Sequence, residues 1–138
     1  MNLEHGRVAT RRNAALRQVH QALRLFHEGE WECAITLALA AEEHLPETKQ
    51  PHLWSILMEE KPEAKALFNE TRNWLKHNDP QKKDEHYISE FEAIVSLVRA
   101  VSKYHAAYQD ETEETVRFVD WARSMGFTLA RPKDPTSE

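Results

Sequence analysis

Residues 31–45, WECAITLALAAEEHL, constrain the fold more than any other stretch of the chain. Trp31, Ile35, Leu37, Leu39 and Leu45 spread over most of a helical wheel, and Ala34, Ala38, Ala40 and Ala41 fill the gaps between them. The stretch contains no Gly or Pro, and alanine and leucine are strong helix formers. A helix that is apolar nearly all round must be enclosed by other elements. Its alanines let a neighbouring helix approach closely. The pattern predicts a central helix over 30–45, ended by Pro46, inside a bundle.

Periodicity near 3.6 residues predicts the helices that enclose it. Val8, Ala15, Leu16, Val19, Ala22, Leu23 and Phe26 form the stripe of a first helix over 8–28, stopped by Gly29. Pro62 suits the first turn of a third helix, which runs to His77 before Asn78-Asp79-Pro80. Ile88, Phe91, Ile94, Val95, Leu97, Val98, Val101, Tyr104 and Tyr108 give a fourth helix over 85–108 a broad apolar face. Arg99 and Lys103 are expected on its opposite side, and His105 inside the face as a satisfied core histidine. A fifth helix over 111–124 carries Val116, Phe118, Val119, Trp121 and Ala122, with Gly126 as its cap. Residues 46–60 read as a connector with one helical turn at 53–58, and 127–138 as a loose tail. The 6 prolines fall between periodic segments and Gly totals only 3. The expected class is all-α: an up-and-down bundle of four to five helices in one domain over 1–138, with its core at about 8–124.

Charge and cysteine content narrow the function. The formal net charge of −5 argues against broad nucleic-acid binding, which calls for a basic face. The segment 72–83 is locally basic, with Arg72, Lys76, Lys82 and Lys83 against Asp79. Cys33 is the lone cysteine, so no intrachain disulfide forms; it is expected to be an inert core residue of the second helix. No apolar run marks a leader or a membrane span, and a cytoplasmic location is expected. His20 and His27 are about 10 Å apart along the first helix, too far to share a metal ion, and read as boundary residues. A carboxylate-bridged metal bundle needs inward Glu-x-x-His pairs on two helices. None is apparent, so no metal and no cofactor is expected.

The segment Arg72-Asn73-Trp74-Leu75-Lys76-His77 carries the chemistry. Arginine holds a phosphate, and histidine moves a proton near neutral pH. Asn73 and His77 are i, i+4 neighbours on the third helix. Arg72 shares the polar half of that helix but not their line, whereas Trp74 and Leu75 lie on the apolar stripe. Glu42 falls on the apolar arc of the second helix, so its carboxylate needs a partner: an arginine, the motif histidine, or a cap or backbone group. Glu42 and Glu43 also oppose the dipole at the C-terminus of that helix.

The layout resembles the HEPN (higher eukaryotes and prokaryotes nucleotide-binding) domain. The likeness rests on the Ala-rich segment 31–45 and on Phe68-Asn69-Glu70-Thr71-Arg72-Asn73-Trp74-Leu75-Lys76-His77. The stretch from Glu90-Phe91-Glu92-Ala93 to Arg99-Ala100-Val101 resembles a later helix of a small bacterial branch of that superfamily. The likeness covers roughly residues 8–124. It implies a homodimer formed through the motif helices, with Arg72 and His77 of two chains lining one cleft. In active members that cleft cuts RNA without metal, supported by the residue after the arginine, here Asn73. Other members bind nucleotides, partner a nucleotidyltransferase or antitoxin, or act as scaffolds.

Two functions compete on these residues. In the first, a metal-independent endoribonuclease, His77 is the general base on a ribose 2′-hydroxyl, Arg72 holds the phosphate, and Asn73 orients either. Lys76, Glu42 and Arg99 are expected as supporting or anion-binding residues. In the second, the same cations bind a nucleotide or a partner protein without catalysis.

Overall fold

The computed structural model describes residues 3–47 and 62–126. The turn expected at 53–58 and the tail at 127–138 lie outside the described residues. Within them the chain forms α1 (Arg11–His27), α2 (Trp31–His44), α3 (Pro62–Lys76), α4 (Glu90–Tyr108) and α5 (Glu113–Ser124), and no strand. The protein is an all-α bundle.

Each boundary has a local cause. The Thr10 side chain accepts from Asn13 N at 3.1 Å and starts α1 at Arg11, beyond exposed Val8 and later than the apolar pattern alone suggests. Gly29 follows α1 with φ +81°, the left-handed region where glycine carries no steric cost. The fourth helix begins at Glu90, not near residue 85. Ser89 and Glu92 form a reciprocal capping box there. Residues 85–89 therefore join a loop, and Phe91 on the first turn stays exposed instead of entering the core. Thr112 and Thr115 make the corresponding box at the start of α5.

As its sequence requires, α2 is central and packs chiefly on α1 and α4, with α3 along its C-terminal half. Ala34, Ala38 and Ala41 are fully buried, which allows close approach on more than one side. Ile35 and Leu39 interleave with Val19, Leu23, Leu97, Val98 and Val101 in a single core cluster. Apolar area removed from water drives this packing, at roughly 25 cal/mol per Å².

Three sequence expectations need correction. Cys33 is exposed, because only part of the α2 circumference is covered at its first turn. Arg99 and Lys103 do not face solvent: α4 is buried on every side from Glu92 to Ala106, and both cations turn toward the end of α2. Trp74 is only half-buried and stands outside the core cluster, since it packs on the loop after α3. His105, by contrast, is buried as expected, and its Nε2 meets Thr115 Oγ1 at 3.0 Å. His20 lies at the α1 boundary, 2.9 Å from Thr112 Oγ1.

Candidate functional site

The six-residue motif divides between two environments. Arg72 turns toward α2, where its Nη2 donates to Glu43 Oε1, and Lys76 Nζ donates to the same oxygen. The hydrogen bond from Lys76 holds the Glu43 carboxyl below the usual carboxylate range. Partial burial opposes that effect, and attraction to Lys76 and Arg72 adds to it. Next to this group, Arg99 Nη2 donates to Glu42 Oε1 at 3.1 Å, with both side chains nearly excluded from water. Lys103 Nζ donates to the Glu42 carbonyl at 3.3 Å and lies 3.6 Å from the Glu47 carboxylate. Four cations from α3 and α4 thus surround the C-terminus of α2. They offset both its dipole and the acids there, whose position in the sequence is otherwise unfavourable. Burial lowers the Arg99 guanidinium from its ordinary value, opposed by Glu42 and reinforced by repulsion from Arg72.

Asn73 and His77 take the other direction. Both are exposed and open into a cleft of about 940 Å³ between the second half of α3 and the loop that follows it. Asn69, Glu70, Asp79, Lys82, Lys83, Glu85 and His86 complete most of its wall. One protomer therefore brings Asn73 and His77 together and keeps the Arg72 guanidinium on α2. Glu42 finds an arginine, Arg99, and not the motif histidine.

The loop wall is held by Trp74 and Thr71. Trp74 Nε1 donates to the Lys83 carbonyl at 3.1 Å, and its ring stacks on His86 with centroids 5.5 Å apart. Thr71 Oγ1, fully buried on α3, donates to Glu92 Oε1 at 2.5 Å and lies 2.8 Å from His86 Nε2. Glu92 Oε2 accepts from Ser89 N at 2.9 Å. His86, Thr71 and Glu92 are absent from the sequence reading of the site. One signal for them is local: Ser89-x-x-Glu92 is a capping-box pattern that ends the loop at residue 89. The contact of Thr71 with residues 15 and 21 positions away has no local signal.

Among the described residues, no three His, Cys, Asp or Glu side chains are grouped to hold a metal ion, and no helix is long and apolar enough to cross a membrane. No family model matches the chain, and neither a curated protein nor a solved structure matches it.

Proposed function

We propose that the chain is a HEPN-like homodimer that cleaves RNA without a metal ion. The observation that carries this reading is that Asn73 and His77, one helical turn apart, open into a polar cleft shared with Lys82 and Lys83. A phosphodiester seated there meets ammonium groups that offset its charge and an imidazole able to move a proton. His77 takes the proton of the ribose 2′-hydroxyl, and Asn73 orients the imidazole or the phosphate. Arg72 serves as the phosphate clamp by exchanging Glu43 for the substrate anion, or by reaching across a two-fold axis, with Lys76 beside it. The Glu42–Arg99 pair supports the clamp from behind by fixing α2 against α4. A cytoplasmic location suits such a substrate.

The test is cleavage in EDTA. RNA should be cut to 2′,3′-cyclic phosphate ends, and the matching DNA should not be cut. Arg72→Ala and His77→Ala should each abolish cleavage. Arg72→Lys should fail in large part, because an ammonium lacks the bidentate fork. Sedimentation should show a dimer at micromolar concentration; a monomer would remove the shared cleft.

One observation favours a second reading. Arg72 and Lys76 already share Glu43 as a counter-ion. A site of that kind exchanges one anion for another, as a non-catalytic module for a nucleotide, an antitoxin or a nucleotidyltransferase would. Nucleotide-dependent chemical shifts without cleaved ends would select it.

A further inference from the structure

The cleft contains a second histidine with a more defined setting than the first. His86 is half-buried, stacked on Trp74, and tied to α3 and α4 through Thr71. The hydrogen-bond inventory settles its tautomer. Glu92, as a carboxylate, only accepts. The single proton of the Thr71 hydroxyl goes to Glu92 Oε1, so toward the ring Thr71 Oγ1 must accept. His86 Nε2 therefore carries a proton, and Nδ1 is the ring atom left to gain or release one. The arrangement follows the logic of a carboxylate that orients a catalytic imidazole and stabilises its cation, with a hydroxyl interposed. The ionisable groups around it are Glu70 on α3, His77 directly after that helix, Glu92 on α4, and Asp79, Lys82, Lys83 and Glu85 on the loop.

We propose that His86 is the general acid of this cleft, with Thr71 and Glu92 as its positioning residues. The inference rests on the ribonuclease reading above, and it supplies the group that reading lacks. The 2′-hydroxyl gives its proton to His77, and the 2′-oxygen bonds to phosphorus. The bond from phosphorus to the 5′-oxygen breaks, and that oxygen takes a proton from Nδ1 of the His86 imidazolium. One proton is removed and one delivered, and the products are a 2′,3′-cyclic phosphate and a 5′-hydroxyl.

The experiment compares an RNA oligonucleotide with uridine 3′-(4-nitrophenyl) phosphate, whose leaving group needs no protonation. His86→Gln keeps an N–H donor for Thr71 but cannot transfer a proton. It should slow RNA cleavage by on the order of 10²–10⁴-fold and cleave the nitrophenyl ester nearly as fast as wild type. His77→Gln should be slow on both. The alkaline limb of the wild-type profile of kcat/KM against pH should vanish in His86→Gln. Thr71→Val should slow RNA cleavage far more than cleavage of the nitrophenyl ester, because the ring loses the hydroxyl that orients it. Thr71→Ser should restore the rate on RNA. Equal slowing of His86→Gln on both substrates, or full activity on both, overturns the assignment while the ribonuclease reading stands. Wild-type protein that cuts neither substrate overturns both. Independently of any variant, nitrogen-15 NMR of the wild type should show neutral His86 as the Nε2–H tautomer; the Nδ1–H tautomer overturns the assignment.

Discussion

Arg99 on α4 and Glu42 on α2, 57 residues apart in sequence, form an ion pair almost completely out of water, at 3.1 Å. Neither charge is tolerable there without the other, since an isolated buried ion loses its hydration without return. Removing one partner should therefore cost more than removing both. Arg99→Ala should destabilise the fold by about 3–5 kcal/mol, and Glu42→Leu combined with Arg99→Met should recover most of that loss. Urea unfolding of the single and double variants measures the difference. Equal losses would show that the pair is no more than two neighbouring charges.

Glu43 gives the acid side of the stability profile a defined component. Its carboxyl is depressed in the folded state, chiefly by the hydrogen bond from Lys76. A depressed carboxyl stabilises the fold above its unfolded pKa, and that contribution is lost as pH falls through the folded value. The stability gap between wild type and Glu43→Gln should be constant near neutrality and close below the ordinary carboxylate range. The gap should be small, since Glu43 is half-exposed and solvent screens the pair. Unfolding free energies measured from neutral to acidic pH test this.

Trp74 and His77 should respond differently to substitution, though by less than a core position for Trp74 would require. Trp74→Phe keeps an aromatic ring on His86 but loses the bond to the Lys83 carbonyl, at a cost of about 0.5–1.5 kcal/mol. The loss should appear first as faster amide exchange in residues 78–89. His77→Ala, at an exposed position, should stay within about 0.5 kcal/mol of wild type.

Thr112 caps α5 and also contacts His20 on α1. Thr112→Ala should cost about 1–2 kcal/mol, the upper part of the range for a lost cap. Thr112→Ser should cost much less. Thermal melts of the two variants distinguish the hydroxyl's role from that of the methyl group.

Cys33 should react with a thiol reagent in the native protein, at a rate near that of an unfolded-chain thiol, because it is exposed. Labelling only after denaturant is added would place it back in the core.

The sequence by itself determined the helices and the central place of α2. A helical period and a cap are written within a few residues, so Gly29, Ser89, Thr112 and the all-round apolar surface of 31–45 act locally. The i, i+4 relation of Asn73 to His77 is legible for the same reason. Tertiary structure decided which polar groups meet. A helical wheel shows which residues share a face but not what lies opposite, so it placed Arg99 and Lys103 opposite the apolar face and Cys33 in the core. The side that carries Arg99 and Lys103 is buried too, because α4 is covered all round, while the first turn of α2 is not and leaves Cys33 exposed. The same limit hid the second histidine. His86 reaches the cleft only because the loop folds back on α3, where Trp74 and Thr71 hold it, and those contacts form between segments whose spacing in the chain carries no period.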